Sequence, residues 1–305
     1  MPLQGLKSGL AIRGMQSGTL SGNALASVQS GSKGGMHNRL PDRDKMLNPL
    51  NLTGVKKPAI YGLADFYNIT GGNTTNLNDI ANTGNYLTSN GSTVSRPIPY
   101  ANVLGGKTIL NYDGTASVMK TVSAIAAAPG YTIMCMVKLN GTTSLPIIDS
   151  NSITTGSILV STPASGASAC QIRSRLYSAT STGTTYTSDI GPSTASSVAN
   201  TPAEFKDYML LTCKFRHTQP TGDGSEQHMF INGRFHKILF GADNFSPIAS
   251  PFSIPTLGIG NNPTNQTSTS QDFELGMVLV LPYWIECAEQ QKIENYFRWY
   301  YNKSF

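Results

Sequence analysis

Tyr208-Met209-Leu210-Leu211-Thr212-Cys213-Lys214-Phe215 opens the C-terminal third of the chain, the region whose pattern decides the fold. Its aliphatic and aromatic content is that of a strand buried on at least one face. Further on, Met229-Phe230-Ile231 and Arg234-Phe235-His236 flank Asn232-Gly233. A type I′ turn needs positive φ at both central residues, which Asn-Gly tolerates best, so a tight hairpin is expected there. Phe273 to Leu281 alternates so that Phe273, Leu275, Met277, Leu279 and Leu281 should share one face, and Val278 and Val280 make its far half apolar on both faces. That pattern predicts an interior strand, ended by Pro282, which has no N–H to donate. The period then changes. Ile293, Tyr296, Phe297 and Tyr300 fall at i, i+3, i+4 and i+7, one stripe of a helix.

Upstream, Tyr131-Thr132-Ile133-Met134-Cys135-Met136-Val137-Lys138-Leu139 is apolar on both alternating faces and should be a central strand. Leu145–Asp149 and Ser157–Val160 are its expected partners. The polar stretch from Tyr61 to Asn111 reads as loops and short strands over one end of a sandwich, and residues 178–203 as a long loop or weak hairpin.

The order of these segments carries a resemblance. The Asn-Gly hairpin, Leu257-Gly258-Ile259-Gly260, the Phe-x-Leu-Gly strand and the closing Ile293-Glu294-Asn295-Tyr296-Phe297 helix resemble the end of a concanavalin A-like lectin/glucanase (laminin-G-like) domain. Asn76-Leu77-Asn78-Asp79, Arg96-Pro97, Gly106-Lys107 and Leu110-Asn111-Tyr112-Asp113-Gly114 are similar to the start of its bacterial and phage versions. The resemblance spans about residues 60 to 302. It implies an all-β, concanavalin A-like jelly-roll sandwich with a short C-terminal helix over residues 59–305, of the kind carried by bacteriophage virion proteins.

Residues 1–58 are of another kind. Up to residue 60 there is no Phe, Tyr or Trp, yet there are nine Gly among scattered aliphatics. Such a segment buries too little apolar surface to order alone. Leu3, Leu6, Leu10, Ile12, Met15 and Leu20 are nevertheless too apolar for a solvated spacer, so the segment is expected to be an extended arm that orders on neighbouring subunits. Other virion proteins and further copies of the chain are its expected partners.

The net charge of +5 is unevenly placed, since residues 1–57 hold eight Lys/Arg against two Asp and leave the remainder near −1. A near-neutral folded body argues against a nucleic-acid partner. No apolar run is long enough to cross a bilayer, and Gly5, Gly9 and Gly14 interrupt any signal-peptide core. Synthesis in a host cytoplasm without membrane insertion is therefore expected, and the resemblance implies residence in a virion. Cys135, Cys170, Cys213 and Cys287 are widely spaced and should be four buried free thiols.

Chemistry-bearing patterns are few. In the strand Cys170–Tyr177, Gln171, Arg173, Arg175 and Tyr177 share one face, where two guanidiniums, an amide and a phenol could bind a host-surface glycan. The alternating acids of the glucanase branch are absent. Asp272 and Glu274 stand about 6–7 Å apart on one strand face, a spacing open to a glycosidase pair but more typical of edge protection. His217 and His228 could meet Asp223 and Glu226 around a metal, though without helical ligand spacing. No nucleophile elbow or phosphate-cradling loop occurs. The expectation is a non-enzymatic structural protein of a virus particle, a capsid decoration or tail or fibre component, with no catalytic residue, metal or cofactor. A glycan-binding adhesin is the alternative, and a glycoside hydrolase a lesser one.

Overall fold

The computed structural model describes residues 45–70, 73–89, 96–115, 117–140, 146–150, 157–161, 172–177, 185–190, 207–217, 225–240, 252–261, 263 and 272–303. The arm residues Leu3, Leu6, Leu10, Ile12, Met15 and Leu20 lie outside the described residues. In chain order the strands are β1 (Ile60–Thr70), β2 (Asn73–Asp79), β3 (Leu87–Ser89), β4 (Ile98–Leu104), β5 (Lys107–Asp113), β6 (Met119–Thr121), β7 (Ile125–Ala128), β8 (Gly130–Leu139) and β9 (Pro146–Asp149). Then come β10 (Ser157–Ser161), β11 (Ile172–Tyr177), β12 (Thr185–Ile190), β13 (Met209–His217), β14 (Ser225–Ile231), β15 (Arg234–Phe240), β16 (Phe252–Ile254), β17 (Gly258–Ile259) and β18 (Asp272–Leu281). One helix, α1 (Cys287–Tyr300), closes the described chain.

The strands pair antiparallel in the order β12-β11-β10-β9-β17-β6-β3-β2-β1-β18-β8-β13-β14-β15, with the β4–β5 hairpin joined to the start of β18. Alternation splits the central strands between two cores. Tyr131, Ile133, Cys135 and Val137 of β8, with Leu211, Cys213 and Phe215 of β13, share an inner core with Leu77, Leu87, Met119, Ile148 and Ile259 from the other arm of the sheet. The sheet therefore closes on itself as a sandwich. Met134 and Met136 point the other way, into an outer core with Leu210, Leu279, Ile293, Phe297 and Tyr300. Each such fully buried aliphatic or aromatic side chain contributes about 1.5–3 kcal/mol of burial free energy.

The helix stripe lies where expected, since Ile293, Tyr296, Phe297 and Tyr300 are all buried. The hairpin turn is there too, with φ of 55° at Asn232 and 77° at Gly233, and β8 is the interior strand between β18 and β13.

Several expectations need correction. In β18, Phe273 and Leu275 enter the inner core but Met277, Leu279 and Leu281 enter the outer one. Gly276 is the reason. Leu275 faces Val137 and Met277 faces Met136, so Gly276 is the extra residue of a β-bulge that reverses the alternation. A Cβ there would sit 3.1 Å from the Tyr301 hydroxyl and 3.2 Å from Met136.

The strands β9 and β10 pair with each other, and β9 with β17, but neither pairs with β8. Its two edges are already filled by the long apolar strands β13 and β18. The start of the Tyr61–Asn111 stretch is likewise no cover loop. Ile60, Tyr61, Leu63 and Ala64 are buried where β1 runs between β2 and β18, five residues being too short a run to show a period.

Residues 46–57, grouped with the arm on composition, pack on the helix instead. The Leu47 amide donates to the Lys292 carbonyl at 3.0 Å, Leu52 is buried, and Lys56 pairs with Glu289 at 3.0 Å. Cys135 and Cys213 are buried free thiols, Cys287 is exposed at the first residue of the helix, and Cys170 lies outside the described residues.

Candidate functional site

Between β13 and β14 the register sets Thr212 opposite Phe230, Lys214 opposite His228 and Arg216 opposite Glu226. Their neighbours Leu211, Cys213, Phe215, Met229 and Ile231 fill the inner core, so strand alternation turns these six toward the helix side. The link from β18 to α1 crosses above them. Thr132 anchors it, donating from Oγ1 to the Tyr283 carbonyl at 3.0 Å and accepting from the Ile285 amide at 3.1 Å. Lys214 Nζ donates to the Ile285 carbonyl at 3.1 Å. Two buried polar side chains thus fix the backbone on both sides of Trp284.

Trp284 lies over the pairs. Its ring is 4.6 Å from Lys214 Nζ and 4.3 Å from the Arg216 guanidinium carbon, within cation–π range. His228 meets it edge-on at 4.6 Å, and the Phe235 ring lies 5.8 Å from His228 and 5.3 Å from Phe230. Lys214 is 1% exposed, whereas Phe235 is 50% exposed. Lys214 and Glu226 are thus buried, Arg216 is partly open to solvent, and Phe235 presents ring surface to water.

Glu226 is held by Arg216, with His228 beside it. Arg216 Nε donates to Glu226 Oε2 at 2.6 Å, and His228 Nε2 lies 2.5 Å from Glu226 Oε1. Burial lowers the pKa of His228 below its ordinary value, and the Lys214 and Arg216 charges act the same way against the pull of Glu226. Burial also lowers that of Lys214. Apolar residues of similar volume would stabilise the fold as well as such a cluster does, which makes it a candidate for function.

A pocket of about 220 Å³ adjoins it, lined by Phe230, Gly233, Cys287, Gln290, Gln291, Glu294 and Arg298. One wall is the hairpin turn, tied to β13 by the Asn232 side chain, which accepts from the Leu210 amide at 2.8 Å. The other wall is α1. Glu294, 2% exposed, accepts from Gln290 Nε2 at 2.8 Å and Thr212 Oγ1 at 3.2 Å. Burial raises its pKa against these donors. Arg298 Nη2 donates to the Asn232 carbonyl at 2.9 Å. A Cβ on Gly233 would fall 2.6 Å from Arg298 Nη2 and 2.7 Å from Glu294 Oε2 and would displace those side-chain ends, while the φ of 77° independently favours glycine.

The residues singled out in the sequence are placed differently. Arg173, Arg175 and Tyr177 occupy alternate positions of β11 between β10 and β12, Arg173 in register with Asp189, and Gln171 lies outside the described residues. Asp272 stands opposite Asp113 across β5, and burial together with the Asp113 and Glu274 charges raises its pKa. Glu274 is held by Lys138 at 3.0 Å, by Asn140 at 3.2 Å and by the Tyr208 hydroxyl. His217 is in register with Ser225, three pairs from His228, and Asp223 lies outside the described residues. Among the described residues no group of three His, Cys, Asp or Glu could hold a metal ion, and none of their helices is long and apolar enough to cross a membrane.

No protein-family model matches the chain, and no curated protein does. Solved structures do. The receptor binding domain of botulinum neurotoxin C/D mosaic serotype superposes with a TM-score of 0.51 at 8% identity, over 79% of this chain and 51% of that one. The botulinum neurotoxin serotype C1 binding domain gives 0.50 at 11% identity, over 82% and 53%. The chain spans about half the length of the structures it matches. At these identities the likeness is one of fold, an antiparallel β-sandwich.

Proposed function

We propose that this domain is a non-catalytic carbohydrate-binding module that attaches to surface glycans through the patch of Trp284, Phe235 and Phe230 over Arg216, Glu226 and His228. The carrying observation is the half-exposed Phe235, whose ring and that of Trp284 both pack on His228, with Trp284 over Lys214 and Arg216 and the Arg216 guanidinium bonded to Glu226. Aromatic rings offer large, rigid contact area for the apolar faces of a sugar, while a few placed polar groups orient it. The similar solved sandwich named for receptor binding agrees with recognition as the role. Engagement of Glu274 by three partners supports the non-catalytic reading.

The alternating Arg173, Arg175 and Tyr177 of β11 are the second location for the same activity. The virus-particle setting expected from the sequence rests on the arm, the cytoplasmic synthesis signature, the missing glucanase acids and the resemblance to phage virion domains, and the binding function stands without it. A glycan array probed with the full chain tests the proposal. Specific binding that Phe235→Ala abolishes while the melting temperature holds is the expected result. An array with no specific binding would overturn it.

A further inference from the structure

One residue of the link from β18 to α1 is held from several directions at once, and it is Trp284. Thr132, Lys214 and His228 are direct cross-strand partners on β8, β13 and β14, so they form one row across the sheet on the helix side. Thr132 is fully buried. Its single hydroxyl donates to the Tyr283 carbonyl and accepts from the Ile285 amide, a double task that a hydroxyl performs from one atom. Those two groups belong to the peptide planes on either side of the Trp284 Cα, and with both planes held the backbone angles of Trp284 are set.

Lys214 completes the hold. The first bond of α1 runs from the Gln290 amide to the Glu286 carbonyl at 2.9 Å, so the Ile285 carbonyl lies outside the helix ladder and is met by Lys214 Nζ at 3.1 Å. The same ammonium lies 4.6 Å from the Trp284 ring and 5.0 Å from that of Phe230. His228 stands edge-on to the Trp284 ring, so the row that pins the main chain also limits rotation of the side chain. A link that only had to close the fold would need no cation, since methionine at 214 fills a similar volume without desolvating a charge. Burying the ammonium carries that cost, and what it secures is the placement of a partly exposed tryptophan.

We infer that Thr132 and Lys214 are positioning residues of the recognition patch. They preset the orientation of Trp284, so that its ring meets a sugar already in place and loses little freedom on binding. The inference rests on the carbohydrate-binding reading and deepens it by naming two buried residues that act through Trp284 without touching the ligand.

Trp284 and Trp299 are the two tryptophans of the chain, and Trp299 packs beside Tyr296 on α1. Fluorine NMR of the full chain labelled with fluorotryptophan therefore gives one signal for the patch and one for the fold, assigned with Trp299→Phe. Thr132→Val removes both hydrogen bonds to the link, and Lys214→Met removes the ammonium. Each should shift or broaden the Trp284 signal, leave the Trp299 signal in place, and weaken binding of an array-selected glycan by about threefold to tenfold, the effect of having to order one side chain on binding. Thr132→Ser, which keeps the hydroxyl, should restore both the wild-type signal and the affinity. A Trp284 signal unchanged in Thr132→Val and Lys214→Met would overturn the positioning role. So would both signals moving together, which would make the row a support of the whole fold. A shifted Trp284 signal with undiminished glycan affinity would detach the placement of the ring from recognition. A wild-type chain that bound no array glycan would overturn the carbohydrate reading and the recognition role with it, and the two fluorine signals would still separate that failure from a free Trp284.

Discussion

The two faces of the β8–β13–β14 layer are built from the same strands and treat polarity in opposite ways. On the inner face Ile133, Cys135, Val137, Leu211, Cys213, Phe215, Met229 and Ile231 form an unbroken apolar surface. On the helix side, Met134, Met136 and Leu210 pack under the helix, but one strand further out the same rows become Thr212, Lys214 and Arg216 opposite Phe230, His228 and Glu226. A fold that needed only stability would continue the apolar rows. The difference separates a face that holds the sandwich together from one that keeps buried charge at some expense of stability, as binding sites do.

The largest contrast should come from the inner face. Phe273 stacks on its cross-strand partner Tyr112, ring centroids 4.4 Å apart, and both are fully buried. Phe273→Ala should cost about 3–5 kcal/mol, read as a lower denaturant midpoint, while glycan affinity of the remaining folded protein is unchanged. A loss under about 1 kcal/mol would contradict the assignment of this face to stability.

Next comes the charged patch. Arg216→Met leaves Glu226 buried with only His228 at hand. Because the Arg216 side chain is 39% exposed, solvent screening limits the cost to about 1–2 kcal/mol. The double variant Arg216→Met with Glu226→Leu should recover wild-type stability or exceed it, yet bind no glycan. Retained binding in the double variant would detach these charges from recognition.

A smaller effect is expected from pH. Burial raises the pKa of Glu294 in the folded chain, so above the ordinary glutamate range of about 4.3 the folded state holds more proton than the unfolded one. Its contribution is fully present below that range and is lost as pH rises through the raised folded value. Glu294→Gln should therefore gain in stability relative to wild type as pH rises above the ordinary glutamate range of about 4.3. A stability difference that does not change with pH would show that the carboxyl is not perturbed.

Smallest is the surface pair Lys56–Glu289, whose lysine side chain is 53% exposed. Lys56→Ala should cost under about 1 kcal/mol, and less at high salt.

Legibility in the sequence tracks how local the cause is. The Asn232-Gly233 hairpin, the Ile293 to Tyr300 stripe and the doubly apolar β8 each depend on neighbours within a few residues, and each is readable. The phase reversal in β18 is hidden because its apolar letters alternate through Gly276, the one residue that breaks the count. Glycine inside a strand is the available signal. β1 is hidden because its buried part is only the five residues from Ile60 to Ala64, with polar ones after them. The patch is half visible, since Thr212, Lys214 and Arg216 alternate within β13 and Glu226, His228 and Phe230 within β14. What joins them is the register across residues 218–224 and the path of the β18–α1 link that sets Trp284 over them. Both are long-range pairings with no local pattern to announce them.

Recognition by the helix-side patch, as opposed to the alternating residues of β11, is open to one direct comparison. Binding of an array-selected glycan by surface plasmon resonance should be lost in Phe235→Ala and kept in Arg175→Ala. Loss in Arg175→Ala with full binding in Phe235→Ala would contradict the account.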